Sequence, residues 1–187
     1  MGILSNLFGK GPDRSQWLTI STRIARRFEE SRIELFEDCI KHLEQLNTYD
    51  SEKQIPLVNK SLSGEAELYL KAFQLMIAVF FLTRRSYIAK SQGQDFADLL
   101  FSQVCGTQIA KVDALARELS RKETQMQVPR IASVVARHIT NHEYTGGVET
   151  ITFFLSTASP FIKFTQMIIA EAFRDQATAQ ELDSKLS

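Results

Sequence analysis

The stretch Glu65–Lys90, EAELYLKAFQLMIAVFFLTRRSYIAK, decides how the rest of the chain is read. Between Leu68 and Leu82 it is apolar on nearly every side, and such a helix has to be covered by other helices all round. Its approach is polar and acidic, with Ser63, Glu65 and Glu67, which suits the partial positive charge at a helix N-terminus. Its longest unbroken apolar run, Leu75 to Leu82, has eight residues, far below the roughly 20 that a membrane-crossing helix needs. The stretch is therefore expected to be the central helix of an all-α bundle.

The segments on either side repeat the helical period. From Arg14 to Leu46, Trp17, Ile20, Ile24, Phe28, Leu35, Cys39, Leu43 and Leu46 recur at near-helical spacing, with Asp13 after Pro12 as a cap. Unbroken, that helix would be about 50 Å long, whereas a compact domain of this size is about 32 Å across. Either the bundle is elongated or the helix breaks, and the break is expected near Glu29–Arg32. A polar connection around Pro56 separates it from the central helix.

After Gly93, Asp95 can cap a helix carrying Phe96, Leu99, Leu100 and Val104. Its period survives Gly106 into Ile109, Val112, Leu115 and Leu119, so a kink is expected at the glycine. Pro129 suits the first residue of a helix reaching about Tyr144 and ended by Gly146–Gly147. Residues 148–157 have a strand-like composition, but a lone strand would have no partner, so they are read as helix. Ser159–Pro160 opens a last helix with Phe161, Phe164, Ile168 and Ala172 along one stripe. The expected fold is a single-domain all-α bundle of about five or six helices over residues 13–180. An amphipathic N-terminal segment and hinge, 1–12, precedes it, and a frayed tail, 181–187, follows.

Composition narrows the function classes. The 187 residues hold 22 Lys and Arg against 22 Asp and Glu, so the basic surplus of a phosphate-neutralising nucleic-acid binder is missing and no nucleic-acid partner is expected. Two cysteines, Cys39 and Cys105, both lie in apolar helical patterns, so no disulfide framework is expected and the chain reads as cytoplasmic. No charged leader with an apolar core and cleavage site opens it.

Residues 1–10, MGILSNLFGK, stand apart behind the hinge Gly9-Lys10-Gly11-Pro12. As a helix they gather Ile3, Leu4, Leu7 and Phe8 on one side, which suits shallow insertion at the inner face of the membrane or docking on a partner. Burying four such side chains is worth roughly 6–10 kcal/mol before the cost of ordering the segment, so membrane contact alone would be weak. The pattern resembles the short amphitropic N-termini of some bacterial peripheral proteins and is too short to name a family. The competing reading is that these side chains dock on the protein's own bundle or fray.

His138 and His142 form an i, i+4 pair that would point to one side of a helix and could chelate a metal. A zincin would need a glutamate directly after the first histidine, where Ile139 stands, and Glu143 lies outside the pair. The competing reading places both histidines against a helix C-terminal dipole. Glu171 or Asp175 could complete such a site, but no spacing requires it. The Glu-x-x-His motif of di-iron bundles is absent at every histidine, and neither a phosphate-binding glycine loop nor Gly-x-Ser-x-Gly occurs. No cofactor is expected. Cys39 reads as a buried structural residue, and Glu29, Glu30, Glu34, Glu37 and Asp38 read as a solvated helix face paired with Arg26, Arg27, Arg32 and Lys41.

The chain holds thirteen phenylalanines. Adjacent residues on a helix diverge by about 100°, so one ring each of Phe80–Phe81 and Phe153–Phe154 can face away from the core, toward a partner, a second copy or an apolar ligand; the competing reading is simple core packing. These features favour a non-enzymatic interaction protein, an adaptor, assembly factor or regulator, working near the cytoplasmic membrane through Ile3, Leu4, Leu7, Phe8, Phe80, Phe81, Phe153 and Phe154. The alternatives are a sensor or carrier of a small apolar ligand and a metal-dependent enzyme using His138 and His142.

Overall fold

A short 3-10 turn, Arg14–Gln16, leads into helix α1 (Trp17–Tyr49). Then come α2 (Gly64–Arg85), α3 (Gly93–Cys105), a second 3-10 turn (Gly106–Gln108), α4 (Ile109–Arg121), α5 (Thr124–Thr140) and α6 over 160–174. This computed structural model describes residues 14–49, 56–85, 93–121, 124–141 and 160–174. Among them there is no strand, and the fold is a single-domain all-α bundle. The expectations for 1–12, 142–159 and 181–187 lie outside the described residues.

Helix α2 is the centre of the bundle. Ala66, Tyr69, Leu70, Ala72, Phe73, Leu75, Ile77, Ala78 and Leu82 are all buried, and α2 touches α1, α3, α4 and α5. Phe73 also stacks on Phe161 of α6, with ring centroids 6.1 Å apart. No one helix could cover an apolar surface that wraps all round, which is why five neighbours gather on it.

Helix α1 runs unbroken for 33 residues, so the break expected near Glu29–Arg32 is not there. At 1.5 Å per residue it spans about 50 Å. Its stripe of Trp17, Ile20, Ile24, Phe28, Leu35, Phe36, Cys39, Ile40 and Leu43 is buried from end to end. Where polar residues interrupt the stripe, Ser31 and Arg32 are buried too. Ser31 Oγ donates to the Phe28 carbonyl and accepts from Gln74 Nε2, and Gln74 Oε1 accepts from Arg32 Nη1. With polar groups partnered on α2, the helix has no reason to open.

Gly106 does more than kink the chain. At φ +52° it takes the left-handed conformation, which a β-carbon disfavours, and the 3-10 turn that it opens separates α3 from α4. The division lets α3 lie mainly against α1 while α4 lies mainly against α2. Pro129 sits inside α5, not at its start. The carbonyl four residues back, at Gln125, thus receives no N–H from it, a cost the helix tolerates in its second turn. At the other end Asn141, with φ 57°, stops α5, and its N–H bonds the Arg137 carbonyl at 2.8 Å. A left-handed Asn closing the last turn is a common helix stop.

Candidate functional site

The long helix α1 borders two clefts of different character. The first lies between α1 and α6, has a volume of about 240 Å³, and is lined by Ser31, Glu34, Leu35, Asp38, Pro160, Phe161 and Phe164. Its floor is apolar: Leu35 and Phe161 are buried. Along α6, Phe164 stays 38% exposed and Met167 52% exposed, three residues apart and so on one side of the helix. Glu34 and Asp38 put two carboxylates on the α1 edge, while Arg27 and Glu171 tie the two helices together at 2.6 Å.

The second cleft, about 260 Å³, opens between α1, α2 and α3. Its lining is charged, with Arg26, Glu29, Arg32, Glu67 and Lys71 beside Thr22 and Gln103. Lys71 is held by Glu67 at 2.6 Å and donates to Gln108 at 3.0 Å. Arg26 is held by Glu30 at 3.1 Å. Arg32 is only 3% exposed, and burial pulls its pKa down to about 10 although Glu29 and Glu67 pull it up. It remains a cation at neutral pH.

Neither cysteine is poised for chemistry. Burial pushes the Cys39 thiol up to about 12, with Asp38 adding to the effect. Cys105 is pushed up to about 11 by burial, which outweighs the opposite pull of Lys71 and Arg32. At pH 8 fewer than about one in a thousand of either would be thiolate. A thiol-specific chromogenic reagent should therefore find no fast-reacting cysteine in the native protein and two after denaturation. Because both folded values lie above the unfolded 9.0, the thiol contribution to stability is intact below pH 9. It is lost as pH rises from there toward 11–12, where the unfolded chain ionises first. Urea midpoints across pH 8–11 should fall, and fall less in Cys39→Ala.

Of the residues read from the sequence, Ile3, Leu4, Leu7, Phe8, His142, Phe153, Phe154 and Asp175 lie outside the described residues. Phe80 is 54% exposed, as the divergence of adjacent rings requires, while Phe81 packs partly buried on the core. His138 serves the end of α5. Its Nε2 faces the Ser61 carbonyl at 2.9 Å and therefore carries the proton, and its ring tilts against Phe36. The loop before α2 meets the same helix end, with Val58 and Asn59 N–H groups on the Ile139 carbonyl and Asn59 Nδ2 on the His138 carbonyl. Carbonyls that a helix C-terminus leaves without partners are satisfied there. Glu171 is engaged by Arg27. Among the described residues no group of three His, Cys, Asp or Glu side chains could hold a metal ion, and no helix is long and apolar enough to cross a membrane.

The sequence reading missed the charged cleft. Arg32 was expected on the solvated face of α1, yet it stands four residues after Phe28 and four before Phe36, in register with the buried stripe. Lys71 and Gln74 likewise fall within the stretch that is apolar all round. A charge in register with a core stripe was the available signal. Among the described residues, fold and clefts together give an all-α bundle that carries an apolar and a charged recess. Comparison of the chain with protein-family models, curated proteins and solved structures finds no match.

Proposed function

We propose that this protein is a non-enzymatic helical interaction protein, an adaptor, assembly factor or regulator, that takes an amphipathic helix of a partner protein into the α1–α6 cleft. The observation that carries the proposal is the exposure of Phe164 at the apolar cleft, with Met167 exposed on the same side of α6. Large apolar side chains left in water at the lip of a recess are what a partner helix covers. Glu34 on the rim selects a partner whose apolar anchors are flanked by Lys or Arg, while Asp38 beside it already holds Lys41 at 3.3 Å. The amphipathic sequence of residues 1–12 supports a working place at the inner face of the membrane.

Support for the two alternatives is thinner. The α1–α2–α3 cleft is lined with charges, which disfavours an apolar ligand there, and the Nε2 of His138 is committed to the Ser61 carbonyl.

A photo-crosslinking amino acid at Met167, introduced in the source organism, should yield a protein adduct whose mapped contact is an amphipathic helix with basic flanks. Phe164→Asp should remove that adduct while leaving the helical circular dichroism unchanged. Adducts to lipid alone, to a second copy of this chain, or insensitive to Phe164→Asp would each overturn the docking proposal.

A further inference from the structure

The charged cleft holds two ionised groups that form no ion pair among the described residues, and they define a ligand. Three of its five ionised side chains are already committed within the protein: Lys71 and Glu67 to each other, and Arg26 to Glu30. The other two are Arg32 and Glu29. Among the described residues, the Arg32 guanidinium has one hydrogen-bond acceptor, the neutral Gln74 Oε1, and no carboxylate within ion-pair distance. A guanidinium offers several N–H donors in a planar fork, and the pull of Glu29 and Glu67 on this one does not make up for what burial costs it. Glu29, exposed at the mouth of the same cleft and one helical turn before Arg32, likewise forms no ion pair among the described residues.

We propose that the cleft binds a small zwitterion of the amino-acid type, its carboxylate on the Arg32 guanidinium and its ammonium on Glu29. A carboxylate accepts the fork of an arginine in a bidentate pair, which supplies the buried charge with its missing partner. An anion alone would leave Glu29 unanswered and would be repelled by it; an amine alone would leave Arg32 unanswered. The cleft has a volume of about 260 Å³. That is room for a single small metabolite, and it lies below the usual range for drug-sized ligands. Thr22 and Gln103, 3.4 Å apart at the α1–α3 wall, are neutral groups able to adapt to the ligand's side chain. The proposal does not rest on partner docking at the α1–α6 cleft.

The test is isothermal titration calorimetry on the full chain with each common L-α-amino acid, and with propionate, ethylamine and inorganic phosphate as controls. At least one amino acid should bind saturably, and none of the three controls should match it. Glu29→Gln, an exposed change that leaves the core intact, should weaken that binding by about tenfold or more, and Arg32→Gln should abolish it. No saturable binding by any amino acid, equal binding by propionate or phosphate, or an unaltered affinity in Glu29→Gln would each overturn the proposal.

Discussion

Truncating Phe96 to alanine is expected to cost about 3–5 kcal/mol of stability and to lower the thermal midpoint by roughly 10 °C in a chain of this length. The size follows from where the ring sits. Phe96 is 0% exposed, meets Trp17 edge-on with centroids 5.8 Å apart, and meets Phe173 at 5.6 Å. One side chain on α3 thus joins the start of α1 to the far end of α6. Losing it removes two aromatic contacts, each worth about 0.5–1.5 kcal/mol beyond burial, and leaves a cavity among rigid neighbours. Phe80→Ala is the internal comparison: the residue is 54% exposed, so the cost should stay well below that of Phe96→Ala, at about 1 kcal/mol. Urea denaturation followed by circular dichroism reads both. A loss below about 1.5 kcal/mol for Phe96→Ala would mean that α6 is not anchored as described.

The same contact shows what the sequence could and could not disclose. Phe96, Trp17 and the all-round apolar stretch of α2 announce themselves by period alone, because a helix that buries one face or every face writes that burial into its spacing. Departures from the expected fold have another origin. The polar run Glu29–Arg32 looked like a place for α1 to open, since only α2, distant in sequence, carries the Gln74 that satisfies it. Gly106 keeps the helical period on both sides, so period could not reveal that α3 and α4 leave for different neighbours. Pro129 fits both a first turn and a tolerated interior position, and sequence favours the cheaper. The apolar cleft was half legible: Phe161 and Phe164 were placed on one helix, but their meeting with Leu35 across more than a hundred residues was not. The charged cleft was not read at all, because Arg32 on α1, Lys71 on α2 and Gln103 on α3 meet only when the three helices are packed.

Gln74 offers the sharpest reading of what that buried polarity is for. Replacing it alone by leucine is expected to cost about 3 kcal/mol, because Arg32 would remain charged and buried with no acceptor. Arg32→Met together with Gln74→Leu should recover the loss in full and equal or exceed the wild type. The pKa of Arg32 supplies the reason for expecting recovery. Held at about 10 where 12.5 is usual, the guanidinium loses more by leaving water than Glu29 and Glu67 return to it. Removing cation and acceptor together therefore deletes a net cost, whereas removing the acceptor alone exposes the whole of it. Ser31, which accepts from Gln74, keeps its bond to the Phe28 carbonyl in both variants. In a double-mutant cycle of urea midpoints, the coupling between positions 32 and 74 should be about 3 kcal/mol or larger. No coupling, or a double variant weaker than Gln74→Leu alone, would make the network an ordinary structural element. If methionine and leucine hold the bundle together at least as well, stability does not account for an arginine and a glutamine at these positions, and the reason has to lie in what the guanidinium meets in the cleft.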